Sequence, residues 1–235
     1  MLTIRSQQME ALESYQQLQF RKMLCEHIQQ EYPVYGKVSS STLMKLIGFG
    51  LTRARNYGFS LQSSLGQFIY LMAAIAPNFD LHPAINAFLV NNKIPADNRL
   101  EVSLENLPDG VWDEAIQQSS HIGWFLIDNM SSQPPIVRIV SALNLALRTD
   151  KTTDNEVRSI TSVDNAIATA LSHGWKSEDA QFVFAAAWVM YGDNFSTSGA
   201  TKYPWIKNVF DSKSAIKIQV ALLRIRMALD FQIWL

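Results

Sequence analysis

The segment "HGWKSEDAQFVFAAAWVMYGDNFS" (His173–Ser196) constrains the fold most, because ten apolar residues follow one another from Phe182 to Tyr191. This run is about half of the roughly 20 apolar residues that a membrane-spanning helix needs. Ser177 and the two acidic residues after it are typical of a helix N-terminus. The segment therefore predicts a helix that is buried in a protein core.

Apolar residues recur at three- and four-residue steps along almost the whole chain, which is the spacing of helices with one apolar face. The alternation of Leu100, Val102 and Leu104 is also compatible with a strand, although one strand without a partner is unstable. We expect an all-α protein. The predicted helices cover residues 4–31, 42–56, 60–75, 83–92, 109–129, 135–148, 161–172 and 177–190, a short segment from Pro204, and 212–235. Ser41, Ser60 and Ser212 are the predicted N-caps of the helices that begin beside them.

The apolar segment has a counterpart earlier in the chain, because residues 57–80 align with residues 173–196 without a gap at an offset of 116. The identical pairs lie in the turn, the helix and the following loop: Gly58 with Gly174, Phe68 with Phe184, Asn78 with Asn194 and Phe79 with Phe195. We expect each glycine to adopt a left-handed conformation and each loop phenylalanine to fold back under the preceding helix.

This repetition predicts a two-lobed helical bundle with an internal duplication of about residues 40–92 and 160–211. The polar stretch "TDKTTDNE" is the best candidate for a linker. We therefore predict an N-terminal lobe at 1–150 and a C-terminal lobe at 151–235.

Charge and cysteine content exclude several classes of function. The net charge of −1 gives no reason to expect nucleic acid or anionic lipid as a target. Cys25 is the one cysteine, so the chain can form no internal disulfide and no cysteine-based zinc site. We expect Cys25 to be buried. The N-terminus turns polar after four residues, unlike a secretion signal, and we expect a soluble cytoplasmic protein without membrane insertion.

The sequence contains no diagnostic catalytic signature. The four histidines are far apart, and the glycine-rich phosphate and dinucleotide motifs and the serine nucleophile elbow are absent. His82 follows Asp80 by two residues, which is more typical of a turn than of a catalytic pair. Glu178 and Asp179 match the helix dipole of a first turn. We therefore predict no enzymatic activity, no catalytic residue, no cofactor and no metal site.

The last predicted helix carries two apolar stripes. One consists of Ile218, Leu222, Ile225 and Leu229, and the other of Ile216, Val220, Leu223 and Met227. Such a helix either lies inside its own domain or is shared with a partner, which can be another protein or a second copy of the chain. We expect exposed aromatic side chains to take part in partner binding, namely Phe59, Trp175, Tyr203, Trp205 and Trp234.

Scattered residues of the N-terminal part resemble a family of small helical proteins encoded beside type VI secretion spike and effector genes in proteobacteria. They are "IRSQQMEAL" (4–12), Phe20, Arg21, His27, "EYP" (31–33), "YGF" (57–59) and "PNFDLHP" (77–83). The chain departs from the family pattern because Leu61–Ser64 lack acidic residues, which Glu178 and Asp179 supply in the second copy. It also continues where most relatives end.

The resemblance implies a non-enzymatic accessory protein that binds a secreted effector, a toxin or a spike protein. Such a protein acts as a chaperone or adaptor for loading, or alternatively as an immunity protein that neutralises a toxin. An uncharacterised enzyme is the third alternative, and it would require a deep pocket lined by converging polar groups.

Overall fold

A computed structural model describes residues 6–128, 130–147, 160–193, 195–196, 203–211, 214–231 and 235. All regular elements in these residues are helical, which confirms the predicted all-α class. Short 3₁₀ helices connect the α-helices, which are α1 (Ser6–Glu31), α2 (Ser40–Asn56), α3 (Gln62–Ala74), α4 (Pro83–Leu89), α5 (Arg99–Asn106), α6 (Asp109–Gln117), α7 (Pro135–Ala146), α8 (Ile160–Ser172), α9 (Glu178–Tyr191), α10 (Pro204–Asp211) and α11 (Ile216–Phe231).

The described residues form two compact units. The first contains the residues up to Ser119 together with Ile127 and Asp128, and the second contains Ser120–Leu126 and the residues from Met130 onward. Helix α7 thus belongs to the second unit by its contacts with α8 and α9. The linker predicted at 149–156 and the lobe boundary at 150 lie outside the described residues.

In the first unit, α1 packs on α2 and α3, and α2 packs on α3. The core between them is apolar and contains Leu24 and Ile28 of α1, Ile47 of α2, and Ile69 of α3. Gly50 of α2 faces α3 so closely that a Cβ atom there would lie 2.6 Å from Ile69 Cδ1 and 2.9 Å from Met72 Sδ. The absence of a side chain at Gly50 therefore sets the distance between the two helices.

Helix α2 ends in the left-handed glycine turn that the sequence predicts. Gly58 has φ +92°, its N–H donates to Arg55 O, and the N–H of Phe59 donates to Ala54 O. This pair of hydrogen bonds is the Schellman motif, which satisfies the last carbonyl groups of a helix. The turn reverses the chain and lets α3 pack back on α2.

The predicted return of Phe79 beneath α3 is confirmed. Phe79 lies in a short 3₁₀ helix (Phe79–Leu81), is buried, and packs against Phe68 of α3 with ring centroids 5.0 Å apart. It closes the end of the apolar core that α3 leaves open.

In the second unit, α9 is the buried helix that the sequence predicts. Ser177 caps it by accepting a hydrogen bond from the Ala180 N–H, and the residues from Ala180 to Trp188 are all buried. Helices α7, α8 and α11 surround it. The ring of Phe195 packs against the ring of Phe184, and their centroids lie 5.0 Å apart.

The structure decides one open alternative and corrects two local predictions. Residues 99–106 form helix α5 and not a strand, because the buried residues Leu100 and Ser103 follow the three-residue step of a helix. Helix α6 ends at Gln117, well before residue 129, because the chain then turns into a 3₁₀ helix (His121–Phe125) that buries Ile122 and Trp124. Ser39 caps α2 in place of Ser41. The predicted cap Ser212 lies outside the described residues.

The close approach at Gly50 predicts that Gly50→Ala lowers the free energy of unfolding by up to about 2 kcal/mol. Overpacking a dense core costs about 1–3 kcal/mol, and the gain in helix propensity from glycine to alanine offsets about 1 kcal/mol of this cost. Urea unfolding measures the change.

Gly110→Ala is the matched control, because nothing lies within 4 Å of a Cβ atom at Gly110 in α6. This variant should raise the free energy of unfolding by up to about 1 kcal/mol through helix propensity alone. Equal effects of the two substitutions would contradict the packing account.

Candidate protein-binding groove

Two of the five aromatic residues predicted to bind a partner are core residues. Phe59 is 2% exposed and Trp175 is fully buried, so the expectation that they are exposed is wrong. The ring of Phe59 packs on Phe68 at 5.9 Å, and Trp175 stacks on Phe210 at 5.6 Å. Each follows a glycine turn that points it inward, and the Trp175 indole N–H donates to Gln219 Oε1 at 3.2 Å.

Two others, Tyr203 and Trp205, lie at the start of α10 and are half-buried. Both pack edge-on against Tyr191, with ring centroids 4.8 and 5.3 Å away. The fifth, Trp234, lies outside the described residues. Of the predicted aromatic residues, Tyr203 and Trp205 therefore retain an accessible surface.

The two stripes of α11 have different surroundings. In the second stripe Val220, Leu223 and Met227 are buried, whereas Ile216 at the start of the helix is 38% exposed. Helix α11 packs on α9. The other stripe is exposed to solvent: Ile218 by 52%, Leu222 by 41%, Ile225 by 55% and Leu229 by 68%. The described residues therefore cover the stripe from Ile218 to Leu229 only in part.

This exposed stripe forms one wall of a groove whose other wall is α10. The groove has a volume of about 380 Å³ and is lined by Trp205, Asn208, Val209, Leu222, Ile225, Arg226 and Leu229. We call it the α10–α11 groove. A contiguous apolar surface of this kind is typical of a binding site.

Arg226 is the charged residue of the α10–α11 groove. Its guanidinium carbon lies 5.4 Å from the centroid of the Trp205 ring, a cation–π contact that holds the charge against the groove wall. Asp230, one turn further along α11, accepts a hydrogen bond from the Tyr191 hydroxyl at 2.9 Å. The groove thus combines an apolar floor with a positive charge at its edge.

The most buried polar cluster of the first unit joins α2 to the loop after α3. Arg53 Nη2 lies 2.5 Å from Asp80 Oδ1, and both side chains are fully buried. The Tyr57 hydroxyl donates to Asp80 Oδ2 at 2.9 Å, and Asn86 donates to the Asp80 carbonyl. Burial, followed by the nearby Asp80 charge, raises the pKa of Tyr57 far above its usual value.

This cluster is enclosed by the protein, because the side chains of Arg53 and Asp80 are both fully buried. His82, which the sequence places beside Asp80, instead lies 3.2 Å from Glu114 Oε2. The interpretation of the Asp80–His82 segment as a turn and not a catalytic pair therefore agrees with where these side chains lie.

Asp97 caps α3 from a distant loop, in place of the predicted cap Ser60. Its carboxylate accepts hydrogen bonds from the N–H groups of Ser60 and Leu61 at 2.8 and 3.1 Å, and from the Ser64 hydroxyl. These bonds, that of Ser64 first, hold the pKa of Asp97 well below its usual range. A cap 36 residues away in the chain gives no local sequence signal.

Glu178 and Asp179 lie in the first turn of α9, as the sequence predicts, and they also form ion pairs that the sequence did not reveal. Glu178 pairs with Arg138 at 2.7 Å and Asp179 with Arg224 at 2.6 Å. Asp179 also accepts from the His121 N–H at 2.9 Å. The carboxylates tie α7, α11 and the segment around His121 to one end of α9.

His121 lies beside this cluster and is largely buried. Burial lowers its pKa to about 4, the nearby Arg224 charge acts in the same direction, and Asp179 opposes both. The folded protein therefore keeps this imidazole neutral at pH values at which an unfolded chain would protonate it.

Comparisons of the chain with known protein families, characterised proteins and solved structures found no match. The resemblance to proteins encoded beside type VI secretion genes therefore stays a prediction from the quoted residues. None of the described helices is long and apolar enough to cross a bilayer. Among the residues that the structure describes, no three His, Cys, Asp or Glu side chains are grouped so that they could hold a metal ion.

The low pKa of His121 predicts a loss of stability in acid. An unfolded histidine takes up a proton near pH 6.5 and the folded one at about pH 4, so acidification between these values favours the unfolded state. Over this interval, the decrease in unfolding free energy should be roughly 3 kcal/mol smaller for His121→Gln than for the parent chain. Urea unfolding at several pH values measures it.

Gln117→Asn is the control for this experiment, because it exchanges two uncharged side chains at an exposed position of α6. It should leave the pH dependence as it is in the parent chain. If the unfolding free energy of His121→Gln depends on pH as steeply as that of the parent chain, the His121 imidazole does not titrate as proposed.

Proposed function

We propose that this chain is a non-enzymatic accessory protein that binds another protein through the α10–α11 groove. The exposed stripe of Ile218, Leu222, Ile225 and Leu229 carries this proposal, since a uniformly apolar helix face costs free energy in water unless a partner covers it. The Arg53–Asp80 pair forms the most buried polar cluster of the first unit. Its burial supports a structural use of these charges and not a catalytic one.

The proposed partner is a secreted effector or toxin, or a spike component of a type VI secretion system. This part of the proposal rests on the residues between 4 and 83 that resemble the accessory family. The favoured role is that of a cytoplasmic chaperone or adaptor that holds the partner for loading. An immunity protein would use the same surface, and protection of cells that express the toxin separates the two roles.

We further infer that residues 40–92 and 160–211 are two copies of one ancestral unit. The two glycine turns have equivalent backbone hydrogen bonds, which supports this inference. Gly174 has φ +82°, and the Trp175 N–H donates to Ala170 O. At the first turn the Phe59 N–H donates to Ala54 O in the same way. The two pairs of phenylalanine rings also have similar geometry. The ring centroids of Phe68 and Phe79 lie 5.0 Å apart with an interplanar angle of 57°, and those of Phe184 and Phe195 lie 5.0 Å apart with an angle of 54°.

The proposal predicts that Ile225→Glu abolishes capture of the partner. Ile225 is 55% exposed, so a glutamate there leaves the fold intact but places a charge on the apolar surface that the partner must cover. Co-expression with the product of the neighbouring gene, followed by affinity purification of the tagged chain, measures the amount of partner retained.

Ile116→Glu is the matched control, because Ile116 in α6 is an isoleucine of similar exposure, 47%, outside the groove. This variant should retain the partner as the parent chain does. Capture of the partner by Ile225→Glu at the parent level, or no capture by the parent chain at micromolar concentration, would overturn the proposal.

A further inference from the structure

The geometry of the α10–α11 groove points to a specific class of occupant, and this inference rests on the proposed function. We propose that the groove binds an amphipathic α-helix that carries carboxylates beside its apolar stripe.

The groove walls require an occupant that satisfies its own backbone hydrogen bonds. Both walls are α-helices, whose backbone N–H and C=O groups are bonded within the helix and offer no edge for an added strand. An extended peptide would press unpaired backbone groups against apolar side chains, which is costly. A helix presents only side chains to the groove, so it avoids this cost.

The spacing of the exposed stripe sets the length of the occupant. Ile218, Leu222, Ile225 and Leu229 follow steps of four, three and four residues, the pattern by which two helices interlock. The eleven residue steps from Ile218 to Leu229 correspond to about 16 Å along the helix axis. A partner helix of at least three turns covers this distance with apolar residues at the same steps.

Arg226 determines the charge of the occupant. The cation–π contact holds the guanidinium carbon 5.4 Å from the centroid of the Trp205 ring, and the N–H donors of a guanidinium match a carboxylate in a paired, charge-assisted geometry. No carboxylate lines the groove in the residues that the structure describes. A carboxylate on the partner therefore complements this position, whereas a lysine there would be repelled.

The same charge disfavours a second copy of the chain as the occupant. The solvent-exposed side of α11 carries Lys217 and Arg226 against the single acid Asp230. Pairing of two α11 helices across this face would bring like charges together beside the apolar stripe. A separate protein with an acidic amphipathic helix avoids this repulsion.

Two designed peptides of 18 residues test the inference with the full chain. Both carry leucine at the same four-three-four steps, and they differ only in glutamate or lysine at the flanking positions. Fluorescence anisotropy of the labelled peptides at low ionic strength should show the glutamate peptide bound at least about tenfold more tightly. This preference should shrink in about 0.5 M salt, where charges are screened.

A charge reversal at the groove makes the test specific. Arg226→Glu should invert the preference between the two peptides, whereas Arg55→Glu, at an exposed position of α2 in the first unit, should leave it unchanged. An inverted preference can arise only if the peptide flanks lie close to Arg226.

The remaining outcomes overturn the inference without ambiguity. Equal binding of the two peptides would contradict the assigned charge of the occupant, and binding of neither peptide would contradict a helical occupant. The proposed function is tested separately, by capture of the co-expressed partner. A concentration-dependent dimer of the parent chain that Ile225→Glu abolishes would assign the groove to a second copy.

Discussion

The burial of α9 on all sides is the constraint on which the second unit depends. Every residue from Ala180 to Trp188 is excluded from solvent, so this helix has no polar face and needs neighbours in every direction. Helices α7, α8 and α11 supply them, and ion pairs of Arg138 and Arg224 with the first turn of α9 fix two of these helices at one end. In the first unit, α3 contacts α1 and α2 and packs against Phe79.

The surface that we assign to partner binding follows from this requirement. Helix α11 uses Val220, Leu223 and Met227 to cover α9, which leaves its second apolar stripe to face outward. Helix α10 then lies beside that stripe and adds Trp205, so that the exposed face becomes a groove. A helix with two apolar faces thus serves the core on one side and is available to another molecule on the other.

The sequence predicts those parts of the structure that depend on neighbouring residues in the chain. Both positive-φ glycine turns, the Ser177 cap and the return of Phe79 were predictable, because a turn glycine, a capping serine and an apolar residue after a helix act locally. Long-range pairs were not predictable. The cap that Asp97 provides to α3 and the Asp179–Arg224 pair join residues that only the tertiary fold brings together.

The candidate site was predictable only in part, for the same reason. The two stripes of α11 are evident from the spacing, but only the packing on α9 decides which of them is exposed. Trp205 lines the groove, whereas Phe59 and Trp175 are core residues because the Schellman turns direct them inward. Exposure of an aromatic side chain next to a turn cannot be derived from the turn alone.

Hydrogen exchange of the full chain, with and without its co-purified partner, tests the central claim most directly. The account predicts that amide protection on binding is concentrated in α10 and α11, because the groove between them is the proposed contact surface. It also predicts little change in α2 and α3. Protection confined to the first unit, with α10 and α11 exchanging as in the free chain, would contradict it.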